Sequence, residues 1–116
     1  MKFTRGDNKP YRIVRRTKDG NVIKEPVTEM YLTVKKDTSC SDFLIQKRLS
    51  TGDITFDSET GYYKFEFEPK DTYKLSYGTY VYDIQIQYAQ DGTVKTKTLV
   101  VDTLQLTEEV TFYSNQ

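Results

Sequence analysis

The chain has 116 residues, enough for one domain with one core and too few for two ordinary domains. It carries 17 Lys/Arg against 17 Asp/Glu, so its zero net charge gives no general reason to expect nucleic acid or an acidic membrane as partner. It has no histidine and one cysteine, Cys40, which removes the commonest general base and metal ligand and forbids an internal disulfide.

The chain opens on Phe3-Thr4-Arg5-Gly6-Asp7. Arg5-Gly6-Asp7 is the tripeptide of integrin ligands, but three residues recur by chance, and a tight turn in which Gly6 permits the bend accounts for it. Residues 10–17 read as a strand, with Tyr11 and Ile13 alternating with Arg12 and Val14. The same stretch is basic, with Lys9, Arg12, Arg15, Arg16 and Lys18 around Tyr11. Basic residues among aromatics suit single-stranded nucleic acid. Here, however, Arg15 faces away from Arg12 and Arg16 on a strand, and no basic groove continues elsewhere. An edge strand shielded from aggregation by its charges explains the same residues.

Asp19-Gly20 predicts a hairpin turn leading into a strand at 21–25. A further strand is expected over 27–36, where Met30, Leu32 and Val34 alternate with Tyr31, Thr33 and Lys35. Cys40 lies in the polar stretch Asp37-Thr38-Ser39-Cys40-Ser41-Asp42. With no histidine and only acids nearby, nothing activates the thiol, and it reads as a free loop cysteine. Strands at 43–49 and 53–56 follow, punctuated by Gly52. Asp57 and Glu59 before Gly61 supply part of a calcium loop but not the ligand ladder of an EF-hand, and turn chemistry explains them.

The strand at 62–68 places Tyr63, Phe65 and Phe67 on one face and Lys64, Glu66 and Glu68 on the other. The bland account of Glu66 and Glu68 is a solvated strand face; carboxylate chemistry would need a pair held across a cleft. Pro69 opens one helical turn or a loop crossing between sheets. The clearest strand is 79–90, where Tyr80, Tyr82, Ile84, Ile86 and Tyr88 share a face against Asp83, Gln85 and Gln87. Asp91-Gly92 turns it into a strand at 93–101, and a last strand is expected at 108–114. The whole of 1–116 reads as one all-β, immunoglobulin-like antiparallel sandwich of about seven to nine strands.

The stretch from Phe67 to Thr96 carries Asp71-Thr72, Leu75, then Gly78-x-Tyr80-x-Tyr82-Asp83-Ile84, then Asp91-Gly92-x-Val94-x-Thr96. It resembles the small immunoglobulin-like domains of bacteriophage and prophage tail and baseplate proteins, most nearly the N-terminal domain of baseplate upper proteins. Phe3 with Gly6-Asp7 resembles the opening of those domains. Members of that group place a glycine soon after the second hairpin strand begins, whereas this chain continues Thr98-Leu99-Val100. The resemblance implies a structural place in a virion, made in the host bacterial cytoplasm, with other virion proteins as partners. It implies no catalytic residue and no cofactor.

The function expected is therefore a non-enzymatic tail or baseplate component acting through oligomeric contacts, as a homo-oligomer without nucleic acid or membrane. Residues 1–50 hold 12 Lys/Arg against 6 Asp/Glu and residues 51–116 hold 5 against 11, a split that favours head-to-tail contacts between copies. Ten tyrosines suit interfaces, and neighbours such as Tyr62 and Tyr63 must face opposite ways. Tyr31, Tyr62, Tyr77 and Tyr113 are the interface candidates. The alternatives are a sandwich that binds a cell-surface sugar through exposed tyrosines, and a small phage-encoded inhibitor of a host protein.

Overall fold

The computed structural model describes residues 1–108. Eight strands form there: β1 (Lys2–Thr4), β2 (Lys9–Val14), β3 (Glu29–Lys35), β4 (Ile45–Arg48), β5 (Thr55–Asp57), β6 (Tyr62–Phe67), β7 (Gly78–Gln90) and β8 (Thr93–Thr107). One helical turn, α1 (Pro69–Thr72), joins β6 to β7. The strands make a five-stranded sheet, β1-β8-β7-β3-β4, and a three-stranded sheet, β2-β6-β5. In the lettering of immunoglobulin domains the small sheet is B-E-D and the large one is G-F-C-C′ with β1 added beside G. All pairs are antiparallel except β1 with β8, where Phe3 lies opposite Leu106 in a parallel pair.

The period-two alternation sets which side chains meet between the sheets. Met30, Leu32 and Val34 from β3, Ile84 and Ile86 from β7, and Leu104 and Leu106 from β8 are all buried on the large sheet's inner face. Tyr63, Phe65 and Phe67 from β6 oppose them from the small sheet. A chain with this modest aliphatic content fills its core with rings: Phe3 stacks on Phe67 at 5.1 Å, Tyr11 on Phe65 at 5.7 Å, and Phe56 meets Tyr63 at 4.6 Å.

Two tyrosines place their hydroxyls on backbone groups. Tyr80, at the start of β7, donates to the Ser76 carbonyl at 2.7 Å. This is the tyrosine corner of immunoglobulin sandwiches. The Tyr63 hydroxyl accepts the Val27 N–H at 3.0 Å and fixes the chain where it crosses from β2 to β3. No disulfide joins the sheets, so packing and these polar anchors hold them together.

Three sequence expectations change. The strand expected at 21–25 reduces to one bridge, Arg16 to Val22. The Asp19-Gly20 turn does form, with the Gly20 N–H on the Thr17 carbonyl. Beyond it the chain must leave the small sheet for the large one, and it passes over Gly61, so it cannot continue a ladder. The strand expected at 93–101 runs on to Thr107, because Leu104 and Leu106 enter the core and β1 pairs alongside. The short β1 strand itself was not expected, since three residues show too little alternation to register. The strand expected at 108–114 lies outside the described residues beyond Glu108.

Candidate functional site: the open flank and the hairpin arm

The β7–β8 hairpin is longer than the sheet that carries it. Its pairs run from Gly78 opposite Leu106 to Gln90 opposite Thr93, while β3 accompanies β7 only as far as Gln87. The tip, turned by Asp91 and Gly92 at positive φ, projects as a two-stranded ribbon. The molecule accordingly measures 55 × 33 × 27 Å. Val94 on this arm is 61 % exposed and Val101, farther along β8, 70 %.

Along the same strand one edge is only partly paired among the described residues. β1 covers β8 only at Gln105–Thr107, and Met1 adds its terminal ammonium to the Thr103 carbonyl. From Thr93 to Asp102 no described strand pairs with that edge of β8. On the same flank β2 is the outermost strand of the small sheet among the described residues, where it pairs only with β6. A strand A, which pairs with B in immunoglobulin domains, is absent among the described residues. Among the described strands β2 is thus at the sheet edge.

Between the two open edges lies a cleft of about 380 Å³. Its floor is apolar, with Ile13, Ile23, Tyr88, Leu99 and Val100, and Arg15, Arg16 and Lys97 stand around it. A bulge shapes the floor: Val100 pairs with Ile84 and Thr98 with Gln85, so Leu99 has no partner across the ladder. Arg15 donates one guanidinium N–H to the Glu25 carbonyl at 3.0 Å, but its Nε is shut off from solvent with no acceptor. A buried donor without an acceptor costs about 1–3 kcal/mol.

The sequence-chosen tyrosines do not converge here. Tyr31 lies on the outer face of the large sheet, Tyr62 on the outer face of the small sheet, and Tyr77 just before β7. Each carries a guanidinium over its ring: Arg48 over Tyr31 at 5.1 Å, Arg12 over Tyr62 at 4.8 Å, and Arg5 over Tyr77 at 4.4 Å. Tyr113 lies outside the described residues. The open flank was missed because it depends on which strand edges remain unpaired, and alternation reports faces, not edges.

The other sequence features resolve into turns. Arg5 of the Arg5-Gly6-Asp7 turn also donates to the Leu75 carbonyl at 3.2 Å, and the Gly6 N–H donates to the buried Thr72 hydroxyl at 2.9 Å. Asp57 accepts the Glu59 N–H at 2.9 Å, its carbonyl accepts the Gly61 N–H at 2.7 Å, and the first of these holds its carboxyl below the ordinary value. Cys40 sits part-exposed in the β3–β4 loop. No group of three or more potential metal ligands occurs among the described residues.

A scan against protein-family models finds no match, and a search of curated proteins finds no relative. The letters behind the phage-domain resemblance can nevertheless be placed. Asp71 and Thr72 belong to α1, Tyr80 makes the corner, and Asp91-Gly92 turns the arm. Most of those letters therefore build the fold and name no ligand.

Proposed function

We propose that this chain is a non-enzymatic interaction module that works by assembly, as a tail or baseplate component of a phage or prophage virion. The observation that carries the reading is the β7–β8 hairpin, which projects past its sheet and has an edge that no described strand pairs, beside an apolar cleft. Isolated two-stranded ribbons are marginal in water, and open edges invite pairing, so a long arm of this kind calls for a partner surface. The Phe67–Thr96 resemblance supplies the virion setting, with other virion proteins and further copies of the chain as partners. A sugar-binding role through Tyr31, Tyr62 and Tyr77 has less support, because arginines already occupy faces of those rings.

The test is solution mass by light scattering over a hundredfold concentration range, together with co-purification from phage-producing lysate. The expected result is a mass above the 13.6 kDa of one chain, as a closed ring or a complex with virion proteins. A strict monomer that associates with no virion component overturns the reading.

A further inference from the structure

The two sheets present unlike outer faces. On the small sheet the outward residues include Arg12, Lys64 and Glu66, as a solvated face should. On the large sheet, from Thr79 opposite Gln105 to Gln87 opposite Thr96, every paired outward residue of β7 and β8 is Thr, Gln or Val except Asp83. Val101 stands near the middle of this face and Val94 extends it onto the arm, both exposed. A patch that loses its charges but keeps exposed apolar groups has the make-up of an interface centre.

The chemistry of this face suits a second copy of itself. Thr hydroxyls and Gln amides both donate and accept hydrogen bonds, so two identical faces can satisfy one another. Lys35 and Asp83 occupy adjacent outward pairs of the β3–β7 ladder, Lys35 opposite Val81 and Asp83 opposite Thr33. Both line a hollow of about 140 Å³ together with Val81 and Val101. Among the described residues neither makes an ion pair. A two-fold axis lying in the face between them sets each lysine against the partner's Asp83. The area also suffices. From Thr79 to Ala89 β7 extends about 34 Å, and four strands about 4.8 Å apart give a width of about 19 Å. Because β3 and β4 are shorter, the face offers roughly 600 Å² a side, or about 1,200 Å² for a pair, the lower end for specific interfaces.

We infer that the outer face of β3, β7 and β8 is a dimer interface between two copies of this chain, with Val101 at its centre and Lys35 of each copy against Asp83 of the partner subunit. The contact is isologous, so it closes at two copies, the smallest closed assembly. This deepens the assembly reading above and rests on it, since it names a surface through which copies join.

The test uses the full chain in analytical ultracentrifugation, with melting curves to verify folding. Val101→Lys places like charges at the centre of the contact and should weaken dimerisation at least about tenfold. Lys35→Glu and Asp83→Lys should each weaken it about fivefold, and combining the two should restore it to within about threefold of the parent, because the signs are exchanged. Lys64→Glu, on the outer face of the small sheet, should leave it unchanged. A Val101→Lys variant that associates as tightly as the parent overturns the inference, as does a charge exchange no better than its single changes, or equal weakening by Lys64→Glu. Where self-association persists through the changes on this face, the assembly reading survives and only this surface falls. A monomeric parent also overturns the inference; if that parent still binds virion proteins, the assembly reading stands without it.

Discussion

The Lys47 ammonium lies 2.7 Å from the Asp71 carboxylate, with both side chains about nine-tenths buried. Lys47 occupies an inward position on β4, an edge strand where a hydrophobic residue would be expected opposite Leu32. Asp71 sits in α1 and also accepts the Glu68 N–H at 2.8 Å, so one carboxylate both closes the helical turn and fastens it to the large sheet. The aliphatic stem of Lys47 covers the core while its charge is neutralised at the rim.

Removing either member of this pair should destabilise the fold, unequally. Asp71→Ala strands a buried ammonium and removes the Glu68 acceptor, at a cost of about 3 kcal/mol. Lys47→Met costs less, since Asp71 keeps its N–H bond and the thioether fills similar volume. The double variant should be more stable than Asp71→Ala alone. Urea denaturation of the four proteins reads the cycle, and strict additivity would show that the pair is not coupled.

The two tyrosine anchors should differ in strength. Tyr80→Phe loses the bond to the Ser76 carbonyl, worth about 1 kcal/mol. Tyr63→Phe leaves the buried Val27 N–H without an acceptor and should cost more, about 1–3 kcal/mol. Equal losses in thermal denaturation would contradict this ordering.

Glycine substitutions separate strain from collision. At Gly52, with φ +86° and open space around a new Cβ, alanine should cost only the left-handed conformation, about 1–2 kcal/mol. At Gly61, with φ +79°, a Cβ would stand 2.6 Å from the Val22 Cγ1 and 3.1 Å from the Ile23 carbonyl. Steric crowding adds about 1–3 kcal/mol there, so Gly61→Ala should be the more destabilised variant by chemical denaturation.

Acid should weaken the fold through Glu29, which is buried at the start of β3. Burial pushes its carboxyl up, but hydrogen bonds from Ser50 and from the Met30 N–H, with the Arg48 charge, outweigh it and hold the group below the ordinary glutamate value. A depressed folded-state value stabilises above the unfolded pKa of about 4.3 and loses that contribution as pH falls through the folded one. Melting temperature should therefore drop below about pH 4.3, and Glu29→Gln should show a shallower drop from a lower starting point at pH 7. An unchanged acid profile in that variant would remove Glu29 from the account.

Sequence by itself determined the faces. The alternation of Tyr63, Phe65 and Phe67, of Met30, Leu32 and Val34, and of Tyr80 through Ile86 specified which side chains enter the core, because a strand has only two sides. Turn chemistry did the same for Asp91-Gly92, while Pro69 left a helical turn and a loop crossing as alternatives, and the structure forms the turn. Tertiary structure decided the edges and crossings. Whether Val22 and Ile23 continue a ladder depends on where Gly61 lies, 38 residues from Ile23 in sequence. Whether Leu99 and Val100 are covered depends on how far β1 reaches along β8. Local pattern cannot report such contacts, because they are set by the docking of distant strands; the open flank became visible only once every strand had its neighbours.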